Sequence, residues 1–237
     1  MGRYQYILLD MDETVLDFKL AERTALRATV EEYGIGYTPD IYAHYSEINL
    51  SLWKRLEKGE ITRDELKRKR FEMAFGDMLR EQGREIDGIA MNSKWMDNLA
   101  KCGFYLPGAR EFLEKLSLTG LRVFIITNGL SYTQNGRIAA SGITQYVEKV
   151  YISEEMGAVK PDRLFADMVI DEAGDPDRSR YLVVGDSLTS DIMLAENAGL
   201  ASCLFAAEGR DLPAGYQEHE ITHIARGYDE LLSVICG

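Results

Sequence analysis

Residues Tyr6-Ile7-Leu8-Leu9 form an unbroken apolar run that ends abruptly at Asp10-Met11-Asp12-Glu13-Thr14. A run that barely alternates and is bounded by polar residues reads as a strand buried on both faces, which is the environment of a parallel sheet. Ligands of such sheets sit beyond the carboxyl ends of the strands, so Asp10 falls where chemistry is expected. Two acids at the mouth of a buried strand are costly unless a cation or hydrogen bonds compensate them, and a divalent metal would do so.

The remainder of the chain supports a sheet of this kind. From Leu106-Pro107-Gly108 onward, strand and helix patterns alternate: strands are expected at 121–127, 147–152, 181–185 and 202–205. Helices are expected at 131–141, 161–172 and 188–198, with a last one beginning near Tyr228. Repeated alternation of this sort argues for a parallel sheet covered by helices. The stretch 19–101 carries no convincing buried strand. Thr38-Pro39 marks one helix start there, Thr62-x-x-Glu65 is a capping-box pattern, and Leu66, Phe71, Phe75 and Leu79 recur at spacings a helix can bury. The expected fold class is therefore α/β, a Rossmann-like parallel sheet covered by helices with an inserted helical cap. Its catalytic core spans 1–17 and 102–237, and its cap spans 18–101.

Composition narrows the function. Lys and Arg total 27 against 39 Asp and Glu, a formal net charge of -12, which disfavours a generic nucleic-acid surface. A small anionic substrate then requires local positive charge or metal to override the acidic field. Cys102, Cys203 and Cys236 are widely spaced with no CxxC pattern, which suggests neither a disulfide framework nor a zinc site. No apolar run approaches the length of a membrane span, and a cytoplasmic location with no membrane partner is the expectation.

Four segments place reactive residue types at the ends of expected strands or the starts of the next helices: Asp10-x-Asp12-x-Thr14, Thr127-Asn128-Gly129, Lys160-Pro161, and Gly185-Asp186-Ser187 with Asp191. Phosphoryl transfer uses all of them. A carboxylate can attack phosphorus and form an acyl phosphate, splitting hydrolysis into two easier steps. Magnesium prefers oxygen ligands and screens an anionic nucleophile from an anionic substrate; Asp10 and Asp186 can supply that metal. Asp12 can protonate the leaving alkoxide and then deprotonate the attacking water. A hydroxyl from Thr127 and an ammonium from Lys160 would hold the transferring oxygens. Each segment alone has a plainer reading as a turn or a helix cap, including Ser131 with Gln134 as caps of the 131–141 helix. Their joint occurrence in order along one sheet favours catalysis.

At these residues the chain resembles the haloacid dehalogenase superfamily of phosphatases, and the resemblance covers nearly the whole chain. It implies that Asp10 is the nucleophile and Asp12 the acid/base. It further implies that magnesium is held by the Asp10 carboxylate, the Asp12 backbone carbonyl and the Asp186 carboxylate, with Asp191 in support. Thr127, Asn128 and Lys160 would bind the phosphate, and the helical cap would close over the site and select substrates. Dehalogenation itself is disfavoured, because the dehalogenases lack the second Asp. Glu13, where many members carry Gly, together with Thr14 and Asp17-Phe18, is similar to the cytoplasmic pyrimidine 5'-nucleotidase branch. The expected substrate is thus a small phosphorylated metabolite, a nucleoside 5'-monophosphate first. A sugar-phosphate phosphatase or a phosphomutase is the alternative enzyme, and a non-catalytic binding protein on the same scaffold is the alternative class.

The remaining conspicuous residues read as ordinary. Lys67-Arg68-Lys69-Arg70 is expected to be a solvated helix face, Tyr42, Tyr45, Trp53 and Phe71 mostly core, and His44, His219 and His223 surface or packing residues. The stretch 211–215 reads as an exposed loop.

Overall fold

The computed structural model describes residues 3–237 apart from the side chains of Leu56 and Glu57, so Met1 and Gly2 of the expected core lie outside it. Two compact units divide the chain: Lys19–Cys102 is one, and the segments on either side of it form the other.

The flanking unit is built on the strands β1 (Tyr6–Asp10), β2 (Arg122–Thr127), β3 (Lys149–Ile152), β4 (Tyr181–Gly185), β5 (Ala201–Phe205) and β6 (His223–Ala225). They form one six-stranded sheet in the order β3-β2-β1-β4-β5-β6, with every neighbouring pair parallel. β1 is central; Leu9 lies opposite Ile125 of β2 on one side and Val184 of β4 on the other. The strand order reverses between β1 and β4, and a parallel sheet opens a crevice at that point beyond its carboxyl ends.

The unalternating apolar strands follow from burial on both faces. The helices of the chain are α1 (Phe18–Glu32), α2 (Pro39–Glu57), α3 (Arg63–Glu81), α4 (Gly88–Leu99), α5 (Ala109–Ser117), α6 (Ser131–Ser141), α7 (Ser153–Met156), α8 (Arg163–Ala173), α9 (Met193–Ala198) and α10 (Tyr228–Cys236). Ile7, Leu9, Val123, Ile125, Leu182 and Val184 point to the face covered by Phe112 and Leu113 of α5, Ile138 of α6 and Leu231 of α10. Tyr6, Leu8, Phe124, Ile126 and Val183 point to the other face, against Phe165 and Val169 of α8 and Leu194 of α9. Each such side chain contributes about 1.5–3 kcal/mol on removal from water, which is why a polar residue is tolerated only at the strand ends.

The expected strands and helices are present with small shifts, α5 and α7 are added where no helix was placed, and two further features differ. β6 was not anticipated, because His223-Ile224-Ala225 is too short and too mixed to show a strand pattern. The helix expected from Leu188 opens with a π-helical turn, Leu188–Ile192, before α9.

In the helical unit, α3 starts at the expected capping box: Thr62 accepts from the Glu65 backbone N–H while Glu65 accepts from that of Thr62. Leu66, Phe71, Phe75 and Leu79 are buried as their spacing requires. Tyr45 packs on Phe71, Phe75 and Trp95. Two expectations are corrected here. Arg70 is not on a solvated face: it is buried, its Nε donates to Asn92 Oδ1 at 3.0 Å, and its guanidinium lies 4.3 Å from the Trp95 ring centre. Trp53 is not core but 45% exposed. No helix among the described residues is long and apolar enough to cross a membrane.

Candidate active site

The carboxyl ends of β1, β2 and β4 bring the expected residues together. Asp10 is the last residue of β1 and is buried. The chain then turns tightly: the Val15 and Leu16 N–H groups donate to the Met11 carbonyl, and the Glu13 N–H donates back to Leu16. Glu13 holds a φ of 63°, a left-handed conformation unusual for a residue other than glycine, and its carboxylate pairs with Arg210 at 2.7 Å. Tyr228 donates its hydroxyl to the Thr14 carbonyl at 2.8 Å, tying α10 to the same turn.

Lys160 reaches into the centre of this region from the loop before α8. Its Nζ donates to Asp10 Oδ1 at 2.6 Å, to Asp191 Oδ1 at 2.7 Å and to the Ile126 carbonyl at 3.1 Å, which uses all three ammonium protons. Asp191 comes from the π-helical turn after β4 and is buried. Its Oδ2 accepts from the Ser187 N–H at 3.2 Å. Ser187 caps the turn, accepting from the Ser190 N–H.

Asp10, Asp186 and Asp191 offer carboxylate oxygens within 4.8 Å of one another. Burial and the neighbouring Asp191 push the Asp10 carboxyl well above its ordinary range, against the opposing pull of Lys160. Burial, then Asp191 and Glu13, push Asp186 up to about 7. For Lys160, burial acts downward, but Asp10 and Asp191 outweigh it and raise the ammonium above its ordinary value. Three carboxylates facing one ammonium leave an excess of negative charge. An all-oxygen donor set with that excess fits a hard divalent cation such as magnesium. Asp191 is already engaged by Lys160 and Ser187, which leaves Asp10 and Asp186 as the carboxylates best placed to hold the ion.

Asp12, Thr127 and Asn128 lie on the β2 side. Thr127 ends β2 and is 1% exposed. Asn128 braces the neighbouring loop: its amide donates to the Lys160 carbonyl at 2.8 Å and accepts from the Lys160 N–H at 2.9 Å. Asp12 Oδ2 accepts from Gln134 Nε2 at 3.0 Å, and its Oδ1 pairs with Arg137 at 2.5 Å. Gln134 and Arg137 were not anticipated as site residues. Gln134 is not a cap of α6, whose N-cap is Leu130 with no side-chain bond. The available signal was spacing: residues 134 and 137 are i and i+3 on one helix face, starting from the loop that follows Thr127.

Residues 4–199 match the family described as haloacid dehalogenase-like hydrolase. The chain belongs to that family. As a haloacid dehalogenase-like hydrolase it is an enzyme, and its sheet is the Rossmann-like fold expected for it. It is 33% identical to the HAD-hydrolase YfnB of Bacillus subtilis over 99% of this chain and 97% of that one. A crystal structure of YfnB, described as bound to magnesium, superposes with a TM-score of 0.85 over 99% of both chains. Pyrimidine 5'-nucleotidase PynA of Streptococcus pneumoniae is 35% identical over 83% of this chain and 81% of its own. Pyrimidine 5'-nucleotidase YjjG of Escherichia coli is 34% identical over 90% of this chain and 91% of its own.

Proposed function

We propose that this hydrolase is a magnesium-dependent phosphomonoesterase that acts through a phosphoaspartate on Asp10 and takes nucleoside 5'-monophosphates as substrates. The observation that carries the reading is the charge balance around Asp10, where Asp10, Asp186 and Asp191 meet the single ammonium of Lys160. A bound divalent ion would restore that balance and screen the approach of a phosphate dianion to a carboxylate.

In this reading Asp10 attacks phosphorus, and the bond to the ester oxygen breaks as the bond to the carboxylate forms. Asp12 delivers a proton to the leaving oxygen, then takes one from the water that cleaves the acyl phosphate. The Thr127 hydroxyl binds a transferring oxygen, and Lys160 holds Asp10 in place while offsetting the charge that gathers there. Asn128 acts on this chemistry through the Lys160 backbone. Magnesium is assigned to Asp10, the Asp12 carbonyl and Asp186, with Asp191 anchoring Lys160 beside them. Substrate choice is assigned to the helical unit, Lys19–Cys102. The nucleotide preference is supported by the two pyrimidine 5'-nucleotidases among the relatives.

The test is phosphate release from nucleoside monophosphates, hexose phosphates and triose phosphates, compared by kcat/KM with and without magnesium. The expected result is a magnesium requirement, highest efficiency on pyrimidine monophosphates and no turnover by Asp10→Asn. Turnover by a pure Asp10→Asn preparation would sink the covalent route, and a preference for sugar phosphates would sink the nucleotide assignment.

A further inference from the structure

Gln134 occupies a position between the two chemical halves of the site, and its neighbours fix which end of its amide faces which way. Arg137 is fully buried and can only donate, so the Gln134 atom it meets at 3.1 Å is the amide oxygen. The Asp12 carboxylate, paired with that same guanidinium, accepts from the amide nitrogen at 3.0 Å. Two neighbours of opposite character thus set the amide orientation by chemistry, where shape alone would leave it ambiguous.

The same nitrogen donates to Thr127 Oγ1 at 2.8 Å. A hydroxyl that accepts on one side keeps its own proton for another acceptor. Gln134 comes this close because residue 129 is glycine: a Cβ there would lie 2.7 Å from Gln134 Cγ. The Arg137 guanidinium is in turn held 5.3 Å from the Phe18 ring centre.

We infer that Arg137 and Gln134 form a positioning relay that directs the Thr127 hydroxyl proton toward the transferring phosphoryl group while holding both oxygens of Asp12. The inference rests on the assignment of Thr127 to phosphate binding made above. Arg137 sets the polarity of Gln134, Gln134 sets that of Thr127, and the Thr127 hydroxyl becomes a committed donor. Neither residue touches the substrate; both act through groups that do.

The decisive variant is Gln134→Glu in the full chain with saturating magnesium, read by the inhibition constant of inorganic phosphate. Glutamate keeps the size of the side chain and its partner Arg137, but its second oxygen accepts from Thr127 and draws the proton away. The expected result is phosphate inhibition weaker by about tenfold or more, the scale of one lost charge-assisted hydrogen bond. Thr127→Val should weaken phosphate comparably, and the Thr127→Val/Gln134→Glu pair should be no weaker than Thr127→Val alone. Simple repulsion by the new carboxylate would instead add to the Thr127→Val loss, and additivity overturns the relay. Gln134→Met guards against misfolding: it fills the space without polarity, frees the hydroxyl to rotate, and should weaken phosphate less than glutamate does. An equal or larger loss in Gln134→Met would mark a packing role and also overturn the relay. If Thr127→Val leaves phosphate inhibition unchanged, it is the assignment of Thr127 that fails. If Thr127→Val weakens it and Gln134→Glu does not, the relay alone fails.

Discussion

Asp191 folds back over Gly185 so closely that a Cβ at position 185 would fall 2.1 Å from Asp191 Oδ2. Glycine at the end of β4 is therefore a requirement of packing, since the backbone there does not use the left-handed region. The close approach lets Asp191 hold Lys160 from beneath while Asp10 holds it from β1. Gly185→Ala should displace Asp191 and loosen Lys160, lowering kcat/KM by about 10²-fold, as expected for a displacement near 1 Å at a reacting group. Steady-state kinetics at saturating magnesium would check this. Wild-type kcat/KM in Gly185→Ala would mean that Asp191 does not position the site.

Lys160 is the only cation bonded to both Asp10 and Asp191 among the described residues. Lys160→Met removes the ammonium and leaves two buried carboxylates facing each other, with Asp186 beside them. Breaking a buried ion pair from one side typically costs about 3–5 kcal/mol. Denaturant unfolding in a chelator should show a loss of that order, and added magnesium should recover part of it, because a cation held by the same carboxylates replaces some of the missing charge. A loss that magnesium does not relieve would argue against metal binding by this cluster.

Much of this arrangement was legible in the sequence, for reasons that also explain the omissions. Tyr6-Ile7-Leu8-Leu9 announced a doubly covered strand because burial on both faces erases alternation, and Asp10 stood out because it ends that run. Asp186 and Asp191 were readable as chemistry because they follow a strand, and Lys160 because it sits at the start of the next helix of the same αβ alternation. Gln134 and Arg137 were not, since a Gln in the first turn of a helix reads as a cap and an Arg one turn on looks like a solvated residue until tertiary contact buries it. Arg70 was misread for the same reason: a basic run on a helix gives no sign of which member turns inward. The bracing of Lys160 by Asn128 was equally hidden, because Asn before Gly reads first as turn chemistry.

Tyr228 links the C-terminal helix to the turn that carries Asp12. Its hydroxyl donates to the Thr14 carbonyl, while its ring packs on Phe112 and Phe205 with centroids at 5.1 Å and 4.9 Å. Tyr228→Phe keeps the packing and deletes only the bond, so unfolding free energy should fall by about 0.5–1.5 kcal/mol. Because Thr14 follows Asp12 by two residues, kcat should drop with KM little changed. Chemical denaturation together with initial rates on one nucleotide would separate the two effects, and an unaltered kcat would confine Tyr228 to stability.

The capping box of α3 gives a pH dependence whose sign can be worked out. Hydrogen bonds from Lys69 and from the Thr62 backbone hold the Glu65 carboxyl down, from its ordinary 4.5 to about 2. Between those values the unfolded chain binds a proton that the folded chain refuses, so stability rises with pH across that window. The contribution of Glu65 is complete above 4.5 and disappears as pH falls through about 2. Glu65→Ala should therefore be less stable than the wild type near neutral pH, and the gap should narrow steadily on acidification. Urea midpoints of both proteins, compared near pH 6 and at about pH 3, would measure the narrowing. A gap of constant size would mean that the charge on Glu65 does not cap the helix, and that its effect comes from helix propensity alone.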